Sequence, residues 1–167
     1  SKLEKKELEI SKESNAIHDI IEDAIEHVNL IIEDRQGTIT THFEASRDTV
    51  LINDVHFTNV IVNILDNAIK YSPEEPKIDI YTENIKDFVI IKVKDQGLGM
   101  SKIAQKRIFE KFYRIGNEET RTTKGTGLGL YICRFIALKH KGRIVVQDNY
   151  PQGCIFEVVI PSLNNKT

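Results

Sequence analysis

The sequence predicts an α+β fold: a two-layer α/β sandwich in which a mixed, mostly antiparallel sheet of about five strands packs on three helices. Two observations lead to this prediction. Three stretches carry apolar residues at spacings of three and four, as amphipathic helices do, and the stretches between and after the helices include several short strand patterns. The chain has 167 residues, which corresponds to about one domain, and its elements do not follow the strict βαβ alternation of a parallel sheet.

The three helical patterns have recognisable ends. The predicted helices cover residues 16–34, 54–71 and 128–141. Asn15 can cap the first helix and Gly37 can end it, while Gly142 follows the third. The predicted strands cover residues 38–45, 49–52, 78–82, 88–95, 143–148 and 154–160, with a short edge strand at 8–12.

The remaining segments define the predicted domain organisation. Residues 102–112 read as a short irregular helix, and residues 116–125 contain no apolar side chain, so they predict a mobile loop and a candidate lid. The predicted domain covers residues 8–162, between a charged segment at 1–7 and a tail at 163–167.

Composition excludes several classes of function. Lys and Arg number 23 and Asp and Glu number 25, a balance that argues against a strongly basic nucleic-acid binder. The apolar runs are too short for a membrane span, and no basic-then-apolar leader is visible. The five histidines lack zinc-ligand spacing, and Cys133 and Cys154 lie in apolar patterns typical of reduced packing residues.

The helix predicted at 54–71 carries an unusual polar stripe. The stripe consists of His56, Asn59, Asn63, Asp66, Asn67 and Lys70. A merely solvated face would favour better helix formers than asparagine. Asn63 and Asn67 lie one turn apart and could serve one Mg²⁺ ion or one phosphate chain, because hard cations prefer oxygen ligands. The alternative is a face that forms hydrogen bonds to a neighbouring element.

The strand predicted at 88–95 ends in a carboxylate on its core-facing side. Asp95 shares the parity of the apolar residues, so burial requires that it be paired or hydrogen-bonded. It opens the sequence DQGLGM, where Gly97 and Gly99 permit a tight turn or close approach to a ligand. Such an acceptor suits an amino donor, for example the exocyclic amine of adenine. The alternative is an Asp that caps the next turn.

A third motif, KGTGLGL at 124–130, opens the last predicted helix. Its glycines at 125, 127 and 129 expose backbone N–H groups at a helix N-terminus, which favours an anion. The motif is neither a GxxxxGK[ST] phosphate loop nor the G-x-G-x-x-G dinucleotide fingerprint, because the spacing differs and a polar loop precedes it.

Together these motifs resemble the ATP-binding catalytic domain of sensor histidine kinases. The matching segments are NILDNAIKYS (63–72), DQGLGM (95–100), FEKFYR (109–114) and GTGLGLYICR (125–134). The resemblance is close over 53–161 and looser over 8–52. It implies the GHKL fold that gyrase, the ninety-kilodalton heat-shock chaperone and MutL-type ATPases share, and it implies ATP and Mg²⁺ as the bound cofactors.

The resemblance also implies roles for individual residues on the phosphate side. Asn67 would be the Mg²⁺ ligand, and Asn63 would support the phosphates or the metal. Lys70 would contact phosphate, Tyr71 would lie near the nucleotide, and Arg114 would approach the γ-phosphate. The further nucleotide-binding residues implied at the lid and the last helix are Gly125, Thr126, Gly127, Leu128, Gly129 and Leu130.

On the base side, the resemblance implies that Asp95 binds the adenine amine, with Gly97 and Gly99 beside the base. Phe109 and Phe112 would anchor the lid or meet the helix that carries the acceptor histidine. The family's last glycine motif is reduced to Gly153, which is expected to lie far from the phosphates.

The implied activity is transfer of the ATP γ-phosphoryl group to a histidine on a separate domain. That histidine is expected outside this chain, because His18 precedes Asp19 in the wrong helix, and residues 1–7 would be the remnant of an upstream dimerisation helix or linker. The implied partners are the histidine-containing dimerisation domain of the same parent protein and a response regulator receiver domain, with no nucleic acid and no direct membrane contact. The implied location is cytoplasmic, in a parent that is an inner-membrane sensor.

Two alternatives to a histidine kinase stay open at this point. The first is another ATP-dependent enzyme of the same fold. GHKL ATPases carry a glutamate where Asn63 stands, to activate water, and an asparagine cannot take a proton. Within the same fold, a serine-kinase anti-sigma factor is a closer alternative, although the FYR segment and the long lid favour a histidine kinase. The second alternative is a module that binds ATP for sensing or partner docking without turnover.

Overall fold

A computed structural model describes residues 10–115 and 127–163. Its strands are β1 (Glu13–Ala16), β2 (Thr38–Phe43), β3 (Thr49–Ile52), β4 (Lys77–Ile85), β5 (Phe88–Lys94), β6 (Arg143–Asp148) and β7 (Cys154–Pro161). Its helices are α1 (Ile17–Asp34), α2 (Asp54–Lys70), α3 (Lys102–Arg107) and α4 (Gly129–Lys139). The segments predicted at 1–7 and 116–125, and most of the tail, lie outside the described residues.

The main sheet has five strands in the order β2-β4-β5-β7-β6. Only β2 and β4 run parallel among these pairs, because the chain crosses over through α2 between them. β1 and β3 form a separate antiparallel pair. This arrangement confirms the predicted two-layer α+β architecture with a mixed, mostly antiparallel sheet.

Three helices cover one face of the sheet, and α2 lies between α1 and α4. Its buried stripe comprises Phe57, Val60, Ile61, Ile64, Leu65, Ala68 and Ile69. The stripe packs against β5, where Val89, Ile91 and Val93 share one buried side, while Lys92 and Lys94 lie on the opposite side. None of the helices in the described part of the chain is long and apolar enough to cross a membrane.

The start of the domain differs from the prediction. Of the strand expected at 8–12, the described residues 10–12 are not in a strand; the edge strand is β1, which pairs with β3. Asn15 therefore does not cap α1. Its amide donates to the carbonyls of Glu13 and Ile52, and Ala16 takes the N-cap position without a side-chain cap. The pairing of the two strands determines the direction of the Asn15 side chain.

The helix-ending glycines also act differently from the prediction. The left-handed residues are Gln36 (φ 54°) after α1 and Lys141 (φ 59°) after α4, each one position before the expected glycine. A Cβ on Gly37 would lie 2.8 Å from a backbone oxygen of a neighbouring segment, and one on Gly142 would overlap such an oxygen. Both glycines are therefore needed for close packing against the sheet layer.

His140 is a buried cross-link between the C-terminus of α4 and the start of α2. Its Nε2 accepts the backbone N–H of Asn53 at 3.0 Å, and its Nδ1 donates to the carbonyl of Ile136 at 2.7 Å. The ring also meets Phe57 edge-on. Because the Asn53 N–H is a donor, this geometry requires the neutral ring. Burial lowers the pKa of His140 below its ordinary value of 6.5; the hydrogen bond to Ile136 opposes this shift, and Lys12 and His56 add to it.

We expect the free energy of unfolding to fall as the pH is lowered from about 6.5, because the unfolded chain then binds a proton that folded His140 resists. Stability from this residue is complete above the ordinary histidine pKa and is lost on acidification. His140→Gln should flatten the pH dependence measured by urea unfolding between pH 7.5 and 5.5. His27→Gln, which removes an exposed histidine, is the matched control and should keep the wild-type slope; an equal flattening there would contradict the assignment.

Candidate nucleotide-binding site

One narrow pocket brings together residues predicted from separate motifs. It lies between the C-terminal half of α2, the end of β5 and the start of β7. Its lining residues are Asn67, Tyr71, Asp95, Gly99, Met100, Ile115, Cys154 and Phe156. Asn67 and Asp95, which the sequence placed on a helix and at a strand end, therefore face the same space.

Asp95 is a buried carboxylate with one oxygen engaged and one available. Its side chain is in a residue only 5% exposed, as the alternation along β5 predicted. Oδ1 accepts the backbone N–H groups of Gly97 at 2.9 Å and Cys154 at 3.1 Å. Among the described residues no hydrogen bond reaches Oδ2. Burial raises the pKa of Asp95, and the two N–H bonds oppose that rise. The available oxygen is a hydrogen-bond acceptor that lines a narrow pocket.

The loop after Asp95 packs directly on the end of α2. Leu98 donates its N–H to the carbonyl of Tyr71 at 3.1 Å. A Cβ on Gly97 would lie 2.6 Å from that same carbonyl oxygen, so the close approach requires glycine there. Gly99 takes a left-handed conformation with φ 77°. The two predicted motifs thus form one continuous wall of the pocket.

The polar stripe of α2 divides among three directions. Asn67 lines the pocket, and its side-chain amide has no hydrogen-bond partner within 10–115 and 127–163. Asn63 donates to the carbonyl of Asn59 at 2.9 Å, and its oxygen faces the first residue of α4, Gly129. Lys70 pairs with the Asp66 carboxylate at 2.9 Å. An unpartnered amide oxygen in a pocket fits the expected oxygen ligand of a hard cation.

The segment after α3 is fixed to the start of α4. Phe109 is buried and meets Phe156 edge-on. Phe112 is exposed, but its N–H donates to the carbonyl of Gly127 at 2.9 Å, and both residues have positive φ. A Cβ on Gly127 would lie 2.8 Å from the Phe112 Cα. The backbone of Phe112, rather than its ring, thus joins the two ends of segment 113–126.

The other predicted residues of this region are placed as follows. Arg114 is half-buried and adjoins Ile115, which lines the pocket. Leu128 is the N-cap residue of α4, and Leu130 is buried in its first turn. Gly125 and Thr126 lie outside the described residues. The roles of these residues in binding stay predictions.

Sequence reasoning missed several residues of this region: Ile115, Cys154 and Phe156 line the pocket, and Gly153 packs against Asp95. Gly153 (φ 101°) lies directly behind Asp95, where a Cβ would overlap the Asp95 carbonyl and lie 2.8 Å from its Oδ1. Cys154, interpreted as a packing residue, lines the pocket and donates its N–H to Asp95. The signal that could have found Gly153 and Cys154 is strand pairing: Lys94 lies opposite Ile155, which places Asp95 beside Cys154.

The fold and the pocket define a nucleotide-binding domain of the GHKL type. A family profile described as Histidine kinase-, DNA gyrase B-, and HSP90-like ATPase matches residues 52–164, and the chain belongs to this family. ATP is accordingly the nucleotide implied for the pocket.

Individual relatives are sensor proteins. The chain is 35% identical to the sensor protein RprX of Bacteroides fragilis over 150 residues, covering 89% of this chain and 29% of that protein. It is 32% identical to the sensor-like histidine kinase SenX3 of Mycolicibacterium smegmatis over 145 residues, covering 87% of this chain and 38% of that protein. The chain thus spans well under half of these relatives.

Solved structures of histidine kinase catalytic domains have the same fold. The mycobacterial sensor histidine kinase MprB superposes with a TM-score of 0.76 at 26% identity, covering 90% of this chain and 97% of that one. The catalytic domain of the histidine kinase ThkA superposes with a TM-score of 0.76 at 27% identity, covering 90% and 95%. The expected family and fold are confirmed.

Proposed function

We propose that this chain binds Mg·ATP between α2 and the β5–β7 end of the sheet and presents the γ-phosphoryl group to a histidine on a separate domain of the parent protein. The observation that most directly supports this proposal is the pocket, in which the available oxygen of Asp95 and the unpartnered amide of Asn67 line one space. A ligand with an amino-bearing base at one end and a phosphate chain at the other matches that pair of groups.

The base would be read by the carboxylate of Asp95. Oδ1 is held by two N–H groups, so Oδ2 is left to accept from the exocyclic amine of adenine. A guanine base presents an oxygen at the corresponding position, which an ionised carboxylate repels. We therefore expect the chain to bind Mg·ATP more tightly than Mg·GTP. Calorimetric titration with each complex measures the two Kd values.

The residues of α2 fit the phosphate end. Asn67 would hold Mg²⁺ through its amide oxygen, with Asn63 one turn earlier beside the start of α4. When bound, Mg²⁺ supplies charge neutralisation to the phosphates. Two cationic side chains, those of Lys70 and Arg114, would add positive charge near the phosphates. The Lys70 ammonium lies 2.9 Å from the Asp66 carboxylate. Phosphoryl transfer depends mainly on such positioning and electrostatic stabilisation.

The same residues favour transfer to an imidazole over hydrolysis. A neutral imidazole nitrogen attacks the γ-phosphorus, forming a P–N bond while the bond to the bridging oxygen breaks and ADP leaves with the electron pair. This step demands no strong base in the domain. Activation of water would demand one, but Asn63 cannot accept a proton and the Asp66 carboxylate is paired with Lys70.

The proposal includes the partners. The phosphoacceptor would be the dimerisation domain of the same parent protein, and a response regulator receiver domain would take the phosphoryl group from it. Support comes from the relatives, which are named as sensor proteins and histidine kinases. Because ATP and receiver domains are cytoplasmic, we place the chain in the cytoplasm, in a parent anchored at the inner membrane.

Incubation with γ-labelled Mg·ATP tests the proposal. The 167-residue chain is assayed alone and with the histidine-bearing dimerisation segment of the parent supplied in trans. Acid-labile, base-stable label on that segment is the expected result. Rapid release of inorganic phosphate by the chain alone would favour the ATPase, and binding of ATP without either outcome would favour a sensing or docking module.

A further inference from the structure

The hairpin between β6 and β7, residues 149–153, packs against the loop that carries Asp95. The Asn149 amide donates to the backbone carbonyl of Asp95 at 2.7 Å, and the Gln152 amide donates to the carbonyl of Gln96 at 2.7 Å. Gly153 approaches Asp95 so closely that a side chain would overlap its carbonyl. The hairpin therefore contacts the main chain of the predicted base-binding loop at consecutive residues.

Asn149 is held rigidly in this hairpin. Its backbone N–H donates to the carbonyl of Gly153 at 2.9 Å, which closes the turn. Its side-chain oxygen accepts the N–H of Tyr150 at 3.0 Å, while its nitrogen donates to Asp95. Both ends of the amide are engaged, so the group presents its donor to the Asp95 carbonyl in one fixed orientation.

The hairpin also rests on a support from the other side. Asp148, the last residue of β6, accepts hydrogen bonds from Lys102 at 2.9 Å and Gln105 at 2.5 Å, both on α3. This residue immediately precedes Asn149, so the start of the turn is attached to a helix. The Asp95 carbonyl is thus held against an anchored element.

We infer that Asn149 is a positioning residue for adenine recognition, acting through the main chain of Asp95. The inference rests on the proposed function. The two hydrogen bonds to the carboxylate both reach Oδ1, so the direction of Oδ2 depends on how the Asp95 backbone is held. Without the Asn149 donor the main chain at Asp95 is held less firmly, and Oδ2 then loses its alignment with the base.

Calorimetric titration of the chain with Mg·ATP and Mg·ITP tests this inference. The two nucleotides differ at position 6 of the base, which carries an amine in ATP and an oxygen in ITP, so the ratio of their Kd values reports the Asp95 contact. Asn149→Ala should lower the ITP-to-ATP ratio about five-fold, as loss of one hydrogen bond implies. The Kd for ITP should change little, because the triphosphate contacts are unaltered.

Matched variants separate positioning from structure. Gln152→Ala removes the neighbouring hairpin bond without touching Asp95, and it should keep the wild-type ratio. Asn149→Asp has the same size and retains an acceptor for the Tyr150 N–H but not the donor. It should lower the ITP-to-ATP ratio of Kd values as Asn149→Ala does. Its added negative charge acts on the same triphosphate in both nucleotides, so that effect cancels in the ratio. Thermal unfolding of each variant verifies that the folded protein is titrated.

The outcomes are distinguishable. A wild-type ratio in both Asn149 variants, with a reduced ratio in Asp95→Asn, would overturn the inference and leave the proposed base contact standing. An unchanged ratio in Asp95→Asn would remove Asp95 from the base site, and the positioning role of Asn149 would fall with it. A reduced ratio in Gln152→Ala as well would assign the effect to the hairpin as a whole and overturn the specific role of Asn149.

Discussion

Asp95→Asn is expected to weaken Mg·ATP binding by about 1.5–3 kcal/mol, which corresponds to roughly 10- to 150-fold in Kd. The carboxylate has two acceptor oxygens, of which one is used by the N–H groups of Gly97 and Cys154. An asparagine has a single oxygen. If that oxygen keeps the two N–H bonds, the amide nitrogen faces the adenine amine, and two donors meet with no acceptor between them.

Isothermal titration calorimetry measures this loss. Asp79→Asn is the matched control, because Asp79 is a half-exposed carboxylate on β4 whose partner is His42. That variant should bind ATP as the wild type does. ATP binding by Asp95→Asn at wild-type affinity would contradict the role of Asp95 in reading the base.

Gly153→Ala is expected to lower the free energy of unfolding by about 3–5 kcal/mol. At φ 101° the backbone is in a region that L side chains rarely adopt. The added Cβ would also overlap the Asp95 carbonyl, which belongs to the main chain and cannot rotate away as a flexible side chain can. With a total stability of about 5–15 kcal/mol for an ordinary domain, this is a large share.

Gly99→Ala separates the two causes. Gly99 also has positive φ, at 77°, but the nearest atom to an added Cβ is 3.6 Å away. Its cost should be only that of the backbone conformation, about 1–2 kcal/mol. Urea unfolding followed by circular dichroism compares the variants. Equal losses at the two positions would mean that the close approach of Gly153 to Asp95 adds nothing to stability.

The sequence predicts those features of the fold that depend on local periodicity. Alternation along residues 88–95 correctly placed Asp95 on the buried side of its strand, and helical spacing correctly separated the polar and apolar stripes of α2. The motif order then identified the family. These signals are local, because each arises within one helix or one strand.

The features that the sequence missed depend on pairing between distant segments. Cys154 meets Asp95 across 59 positions, and only the register of β5 against β7 determines which residues lie opposite. The expected cap of α1 was wrong for a related reason, because pairing of β1 with β3 directs the Asn15 amide to the Ile52 carbonyl instead of to the first N–H groups of α1. Local propensity permits a cap, but it does not reveal a competing partner from a distant strand.

The bond between Phe112 and Gly127 has a consequence for protein engineering. This hydrogen bond holds Phe112 and Gly127, the residues on either side of segment 113–126, next to each other. A longer segment could therefore join the same two residues without any rearrangement of the core. For a chain segment whose two ends are held together, doubling the number of residues between them costs only about 0.6 kcal/mol. A fluorescent reporter peptide inserted between Phe112 and Gly127 should therefore leave the rest of the domain folded.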